Sequence, residues 1–478
     1  MGAPRPSPLN ALSVSVIVPV YNGAATLGDT LRSLRDSSCR PGQIIVVDDG
    51  STDASARIAE EFGVTVLSTR GRCGPAVARG IGAEEATGTV LLFLDSDVCV
   101  HPGTPEREGT IARIVRILEE RLEVDAVFGS YDTRPTAPNF VSQWKNLSHH
   151  FVHQHGAAEA QTFWAGCGAI RKDVFQQVGG FDHAYRGATI EDIELGYRLR
   201  QHGFRILLDP AILCTHAKRW TAWSTWKTDL LYRGIPWTRL ILRTGIVPND
   251  LNVSIAQRIS TAVAWLMVLA FAFAAIRLPV ASLMGMLLFV LILLHAWWME
   301  PPAAGARVLR WLGPFFTVAV ALGLAVLNGL TFFAVCLSLG VVLAVFFRRR
   351  PENRRSRLED FCYSAYFGVL LAALVLDLPR EPEILAAACL ALLLLGLNQA
   401  YYTFFARERG VAFLMATLPF QFLYHFTNGI SVLAGALITF RERRGPVLSR
   451  SLPVTPAPNP EAVDALEQPA LNRHLGAD

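Results

Sequence analysis

The chain has 478 residues, 51% of them apolar, and a formal net charge of +4. That length allows two or three domains, and the charge is too small to point to nucleic acid. Eight scattered cysteines without a C-x-x-C pair argue against a disulfide framework or a zinc ribbon.

Residues 1–250 read as an αβ unit, and residues 259–440 are dominated by apolar runs between short charged loops. The opening MGAPRPSPLNALS has no basic start followed by an apolar run, so the N-terminal domain is expected to stay in the cytoplasm. The strand VSVIVPV ends at the turn Tyr21-Asn22-Gly23, before a helix with Leu27, Leu31 and Leu34 at helical spacing. The strand QIIVV ends at Asp48-Asp49-Gly50-Ser51, and Thr52 or Asp53 can cap the helix ASARIAEEF. Strand VTVLS, the turn RGRCG, helix PAVARGIGAEEA and strand TVLLFL follow. Apolar strands alternating with helices predict a parallel sheet covered on both faces. Such sheets bind ligands beyond the carboxyl ends of their strands, where Tyr21, Asp49, Asp95 and Asp97 all fall.

Asp95-Ser96-Asp97 closes the last of these strands. Two carboxylates there form a hard-oxygen site for Mg²⁺ or Mn²⁺ on a diphosphate. Taken alone, the triplet equally suits an ordinary acidic turn. SVIVPVYNG, VVDDGSTD, GPAVARGIGAEEATG, FLDSD, AGCGAIRKDVFQQVGGFD and IEDIELGYRLRQHG occur in this order. Together they resemble the family 2 glycosyltransferases over roughly residues 13–220. The resemblance implies an α/β GT-A, Rossmann-like catalytic domain. It also implies an inverting enzyme that uses a nucleotide-sugar donor, with UDP-sugar preferred by analogy.

By that resemblance Asp49 contacts the base, Pro19 lies beside it and Tyr21 stacks on it; plain turn chemistry is the other reading of Asp48-Asp49. Asp97 ligates the metal, with Asp95 on the ribose or the metal. Arg70 and Arg79 could reach phosphate or the sheet-edge carboxylates, or be solvated helix charges. FWAGCGAIRK is a Gly-spaced segment where backbone can approach an acceptor sugar, or an ordinary strand packed through small residues. Phe181-Asp182 resembles an acceptor-side turn. Asp192, in the first helical turn after Thr189-Ile190, matches the family's general base, and Glu191 would orient it or bind the acceptor. A base suits a hydroxyl acceptor better than an already ionised phosphate. His149, His150, His153 and His155 look like a metal cluster but read better as a polar helix beside the acceptor cleft. His216 with Lys218-Arg219-Trp220 resembles the x-x-R-W end motif of membrane-embedded members. There the basic residues meet diphosphate and the Trp faces the acceptor.

Trp220, Trp223 and Trp226 recur every third residue among Lys and Arg, which suits a lipid headgroup layer. Candidate membrane spans are 259–276, 279–298, 311–328, 329–347, 361–378 and 384–400, with a less uniform segment at 412–439 around His425, Asn428 and Gly429. The arginine-rich loop 348–357 is expected on the cytoplasmic side, with the catalytic domain. The expected organisation is a tail at 1–12 and a GT-A domain at 13–215. Interface helices at 216–250, a six- or seven-helix transmembrane bundle at 259–440 and a disordered tail at 446–478 complete it.

These features predict a multi-pass inner- or plasma-membrane enzyme with a cytoplasmic, metal-dependent catalytic domain. Its acceptor is a hydroxyl of a membrane lipid or membrane-presented glycan. The competing readings are a processive polysaccharide synthase, a transporter or flippase with a non-catalytic nucleotide-binding domain, and a nucleotidyltransferase.

Overall fold

The computed structural model describes residues 12–277 and 382–444. The predicted spans 279–298, 311–328, 329–347 and 361–378, the loop 348–357 and both tails lie outside the described residues, the N-terminal one but for Leu12.

The first half runs β1 (Val14–Val20), α1 (Leu27–Arg35), β2 (Gln43–Asp48), α2 (Ser55–Glu61), β3 (Thr65–Ser68), α3 (Pro75–Glu85), β4 (Val90–Leu94) and β5 (Val98–Val100). It continues through α4 (Thr110–Glu120), β6 (Ala126–Tyr131), α5 (Phe140–Gln154), β7 (Glu159–Ala160), β8 (Cys167–Arg171), α6 (Lys172–Gln177), α7 (Glu191–Gln201) and β9 (Ile206–His216). These strands form one sheet in the order β3-β2-β1-β4-β8-β6-β9-β5, with β7 on β9.

Strands β3, β2, β1 and β4 are parallel, as the apolar runs predict. The rest is mixed: β8 is antiparallel to both β4 and β6, and β5 is antiparallel to β9. The parallel expectation thus holds for the four strands it was read from and does not extend to the rest of the sheet. A strand buried on both faces reads as a continuous apolar run whichever way its neighbour points. Val16, Val18, Val46 and Leu92 enter one core, with Leu27, Leu31 and Leu34 of α1. Ile17, Ile45, Val47, Leu91 and Phe93 enter the other, with Ala76, Ala78 and Ala83 of α3.

The chain leaves β1 toward β2 and β3, then returns across β1 to β4. The reversal opens a crevice at the carboxyl ends of β1 and β4. Tyr21 and Asp95 follow those two ends directly.

Beyond β9 the predicted interface helix is three pieces: α8 (Ala222–Lys227), a π-helical turn (Thr228–Gly234) and α9 (Ile235–Thr244). Then come α10 (Ile255–Arg277), α11 (Pro382–Leu397), α12 (Gln399–Arg409) and α13 (Val411–Arg444). Among the described residues, Ile255–Phe273 and Val411–Arg443 are long and apolar enough to cross a membrane. Leu385–Leu397 and Gln399–Arg409 form a pair bent by 66° that could make a third span. The less uniform segment 412–439 is one continuous helix containing Pro419.

The helical half is seated on the sheet half by specific contacts. Trp144 Nε1 of α5 donates to the Tyr401 hydroxyl at 3.0 Å, and Trp144, Phe140, Trp220, Phe405 and Phe420 share one buried aromatic cluster. Trp237 Nε1 of α9 donates to the Tyr197 hydroxyl of α7 at 3.0 Å. Lys145 Nζ sits 2.6 Å from both carboxylate oxygens of Asp229 in the π-helical turn.

Gly82 marks where α3 lies closest to the sheet. A Cβ there would fall 2.5 Å from Ile17 Cγ2 and 3.1 Å from Val47 Cγ2. Gly82→Ala should therefore cost about 1–3 kcal/mol through overpacking, read as a lower thermal unfolding midpoint of the purified chain.

Candidate active site

The Asp95-Ser96-Asp97 turn is held from three directions. Asp95 N–H donates to the Gly166 carbonyl at 3.1 Å, Thr30 Oγ1 donates to the Ser96 carbonyl at 3.0 Å, and Ala217 N–H donates to the Asp97 carbonyl at 2.7 Å. Backbone beside β8 and the end of β9, with a side chain of α1, thus fixes the turn that carries both carboxylates.

Arg79 reaches this turn from α3 and is buried. Its Nη2 donates to Asp95 Oδ1 at 2.7 Å and its Nη1 to Glu191 Oε1 at 2.8 Å. Of the three readings for this arginine, the geometry selects the sheet-edge carboxylates over phosphate or a solvated charge. Glu191 Oε2 accepts from Thr189 N–H at 2.9 Å, so both of its oxygens are engaged. One guanidinium therefore ties the D-S-D turn to the start of α7, 112 residues away from Arg79 in sequence.

Asp192 is next to Glu191 and makes no bond to Arg79. Its Oδ2 accepts from Ala165 N–H at 3.1 Å, and its Oδ1 from Ile193 N–H at 2.8 Å. Burial, then the Glu191 charge, raises its carboxyl to about 6, against the opposing pull of Arg79. A carboxylate tuned to that range can accept a proton near neutral pH.

Asp97 Oδ1 lies 3.8 Å from His216 Nε2. Burial raises Asp97, opposed by Lys218, and burial lowers the buried His216 to about 3. At that separation the pair does not hydrogen-bond. A carboxylate oxygen and a neutral imidazole nitrogen face each other unbonded, which suits a divalent cation that takes its remaining ligands from phosphate. Asp95 Oδ2 makes no hydrogen bond among the described residues, its Oδ1 being the one that accepts from Arg79. Among the described residues no group of three His, Cys, Asp or Glu side chains holds a metal unaided.

On the donor side, both oxygens of Asp49 are occupied. Oδ1 accepts from Cys73 N–H at 2.7 Å and Thr69 Oγ1 at 3.0 Å, and Oδ2 accepts from Gly74 N–H at 2.8 Å. Asp49 thus clamps the Gly-rich loop between β3 and α3. Tyr21 is 40% exposed, with the Arg72 guanidinium 4.3 Å above its ring, and Pro19 is buried in β1 beside Val47.

Two sequence expectations need correction. Trp220 is buried in the aromatic cluster with Phe140 and Trp144, not turned toward an acceptor, because α5 and α13 cover it. Arg219 next to it is exposed and has no ion-pair partner among the described residues. The spacing of Gly166 and Gly168 does not leave backbone bare for a sugar. A Cβ at Gly166 would lie 2.6 Å from Cε2 and Nε1 of Trp164, whose indole already covers that spot.

The histidines on α5 form a stack. The His149 ring lies 3.8 Å from His153 and 4.3 Å from Tyr131, and Tyr131 stacks on His216 at 4.2 Å and 8°. Burial lowers His153 to about 4, and His149 further. His150 Nδ1 pairs with the Tyr131 carbonyl and His155 Nδ1 with that of Phe151. Tyr131, stacked on His216, is the residue here that sequence reasoning missed. A tyrosine closing the apolar run AVFGSY before Asp132 carried the same strand-end signal as Asp95.

The chain matches Glycosyl transferase family 2 over residues 15–179 and the N-terminal domain of galactosyltransferase over residues 145–214. An uncharacterised glycosyltransferase of Haemophilus influenzae is 28% identical over 226 residues, covering 43% of this chain and 69% of that protein. The pre-mycofactocin glycosyltransferase of Mycobacterium tuberculosis is 27% identical over 226 residues, covering 45% of each. The validoxylamine A glucosyltransferase of Streptomyces hygroscopicus subsp. jinggangensis is 27% identical over 230 residues, covering 40% of this chain and 52% of that one. The chain thus spans about half the length of these last two relatives. Among solved structures, GalNAc-T7 with UDP, GalNAc and Mn²⁺ matches at TM-score 0.38 and 20% identity, covering 49% of this chain and 48% of that one. The mannosyltransferase PcManGT from Pyrobaculum calidifontis, in complex with GDP-Man and Mn²⁺, matches at TM-score 0.41 and 17% identity, covering 90% and 89%.

Arg79→Met would leave Glu191 buried without its counter-charge. Breaking a buried ion pair from one side costs about 3–5 kcal/mol. A markedly lower unfolding midpoint is expected, with partial recovery in the double variant Arg79→Met/Glu191→Met.

Proposed function

We propose, starting from the family 2 glycosyltransferase domain that this chain carries at residues 15–179, that the enzyme is inverting and metal-dependent. It moves a sugar from a nucleotide-sugar to a hydroxyl of an acceptor presented at a membrane. One observation carries this reading: Asp192, raised to about 6, stands next to a residue salt-bridged through Arg79 to the D-S-D turn. Base and diphosphate site therefore share one cleft.

In this reading Tyr21 and Pro19 lie beside the base, and Asp49 shapes the loop that meets it. Asp97 and His216 would hold Mg²⁺ or Mn²⁺ with the free oxygen of Asp95. Such a cation, when bound, stabilises the negative charge that builds on the departing diphosphate. Asp192 takes the proton from the acceptor hydroxyl while that oxygen forms a bond to the anomeric carbon. The bond from that carbon to the diphosphate oxygen breaks, and its electron pair leaves with the nucleoside diphosphate. Glu191, with both oxygens engaged, orients the base. Arg219, exposed near the cleft, is available to an anionic group.

The proposed organisation keeps a GT-A domain at 13–215, interface helices at 216–250 and a membrane region at 259–440, with the catalytic domain on the cytoplasmic side of the inner or plasma membrane. Exposed Trp223 and Leu231 on the interface segment suit a headgroup layer. The Trp237–Tyr197 bond would hold α7, and with it the base, near that layer. UDP is the preferred nucleotide.

Because the base works ionised, kcat/KM should fall as pH drops through about 6. Asp192→Asn should remove this limb and lower kcat by about a hundredfold to ten-thousandfold, with sugar-nucleotide binding retained in equilibrium dialysis. An Asp192→Asn enzyme with full transfer activity would move the base elsewhere. Chelation with EDTA should silence transfer and added Mn²⁺ restore it.

A further inference from the structure

Arg233 carries a charge that the transfer chemistry above does not use. It is exposed on the π-helical turn, beside exposed Leu231 and Tyr232. Its guanidinium has no hydrogen-bond or ion-pair partner among the described residues. The nearest carboxylate in sequence is Asp229, and Lys145 sits 2.6 Å from both of its oxygens. That pair neutralises itself, so Arg233 stands as a net positive charge. The turn is seated on α13 at the next residue, since a Cβ on Gly234 would fall 2.2 Å from Ser431 Oγ. Single π-helical turns recur at functional sites.

This charge acts on the base side of the cleft. Asp192, His149, His216 and Tyr131 all feel Arg233, whereas the cation that Asp97 feels is Lys218. Two polar groups on that side also lack partners. Tyr131 is buried against His149 at 4.3 Å and His216 at 4.2 Å, and its hydroxyl makes no hydrogen bond among the described residues. Burial raises this phenol well above its ordinary range, so it stays a donor. His149 Nδ1 is buried and unbonded as well. A free guanidinium with a free hydroxyl donor beside it suits an anion.

An apolar groove of about 480 Å³ lies next to this charge, between α5, α8, the π-helical turn and α13. Trp144, Trp226, Phe420, Leu423, Tyr424 and Asp229 line it, and Tyr424 feels both Asp229 and Arg233. Its one carboxylate is the one already held by Lys145.

We propose that the acceptor is an anionic lipid: its hydrocarbon chain lies in this groove, its anionic group meets Arg233 and the Tyr131 hydroxyl, and a separate headgroup hydroxyl reaches Asp192. A neutral lipid alcohol would cover Arg233 without supplying a counter-charge, which is costly. A water-soluble anion would leave the apolar walls bare. The anionic group is not the nucleophile. The hydroxyl gives its proton to Asp192 and forms the bond to the anomeric carbon, so the anion passes into the product unchanged. The assignment rests on the hydroxyl-acceptor reading above and narrows its substrate class.

The test uses membranes containing the full-length chain, incubated with labelled UDP-glucose, UDP-galactose, UDP-N-acetylglucosamine and GDP-mannose. Labelled lipid is extracted and passed over an anion exchanger in organic solvent. The product should be retained, and its label should survive mild acid, which cleaves glycosyl phosphates but not glycosides. Growth in radiolabelled phosphate tells a phosphate headgroup from a carboxylate, either of which fits Arg233. Arg233→Gln should slow labelling about tenfold or more, with the donor KM moving by less than about threefold and the unfolding midpoint unchanged. Arg233→Lys, which keeps the charge but loses the planar fork, should recover part of the rate. Leu423→Trp, which fills the groove and leaves Arg233 intact, should slow labelling likewise. Label in a neutral lipid or a water-soluble polymer, or wild-type labelling by Arg233→Gln, overturns the anionic acceptor while transfer stands. Release of the free labelled monosaccharide by mild acid would make the anion the nucleophile and overturn the assignment together with the base. If no donor yields labelled product of any kind, the functional reading itself fails.

Discussion

Three carboxylates surround one buried guanidinium in this protein. Arg79 is salt-bridged to Asp95 and Glu191, and Asp192 is left outside the pairing. A buried arginine requires counter-charges, and Asp95 and Glu191 meet that requirement from opposite sides of the cleft. The arrangement leaves Asp192 desolvated beside a like charge, which is what keeps its proton on to about pH 6. The same side chain thus joins the two halves of the site and tunes the group that neither half pairs.

The surroundings keep this arrangement from relaxing. The D-S-D turn is tethered by backbone or side-chain bonds from α1, β8 and the end of β9. Asp49 holds the Gly-rich loop that begins α3, and α3 carries Arg79. The helix bearing Asp192 is bonded to α9 through Trp237 and Tyr197, and α5 is bonded to α12 through Trp144 and Tyr401. The apolar helices are therefore fastened to the elements that line the cleft. A shift in one would be felt at the other through packed side chains, since close-packed interiors transmit strain.

Much of the fold was legible because its signals are local. The strands β1, β2 and β4 read as largely apolar runs, and Tyr21, Asp49 and Asp95 directly follow their carboxyl ends. The E-D pair opens α7 as its first-turn acidity requires. The direction of β8 was not legible, because a strand covered on both faces has no alternation to betray its neighbour. Which of two roles the glycines in FWAGCG play was not legible, because the group that fills the space above Gly166 is the adjacent tryptophan folded back on the strand. Trp220 matched a motif by position, yet its surroundings come from α5 and α13, far away in the chain.

By itself, then, the sequence determined which residues end the strands, which carboxylates open α7 and where the chain turns apolar. Each of these depends on residues within a few positions of one another. Only the tertiary structure decided which charges meet. That Arg79 pairs with Asp95 and Glu191 and that Asp192 is left with a raised affinity for its proton both depend on contacts between segments distant in sequence. Burial and Coulomb energy act through space, and no local pattern encodes them.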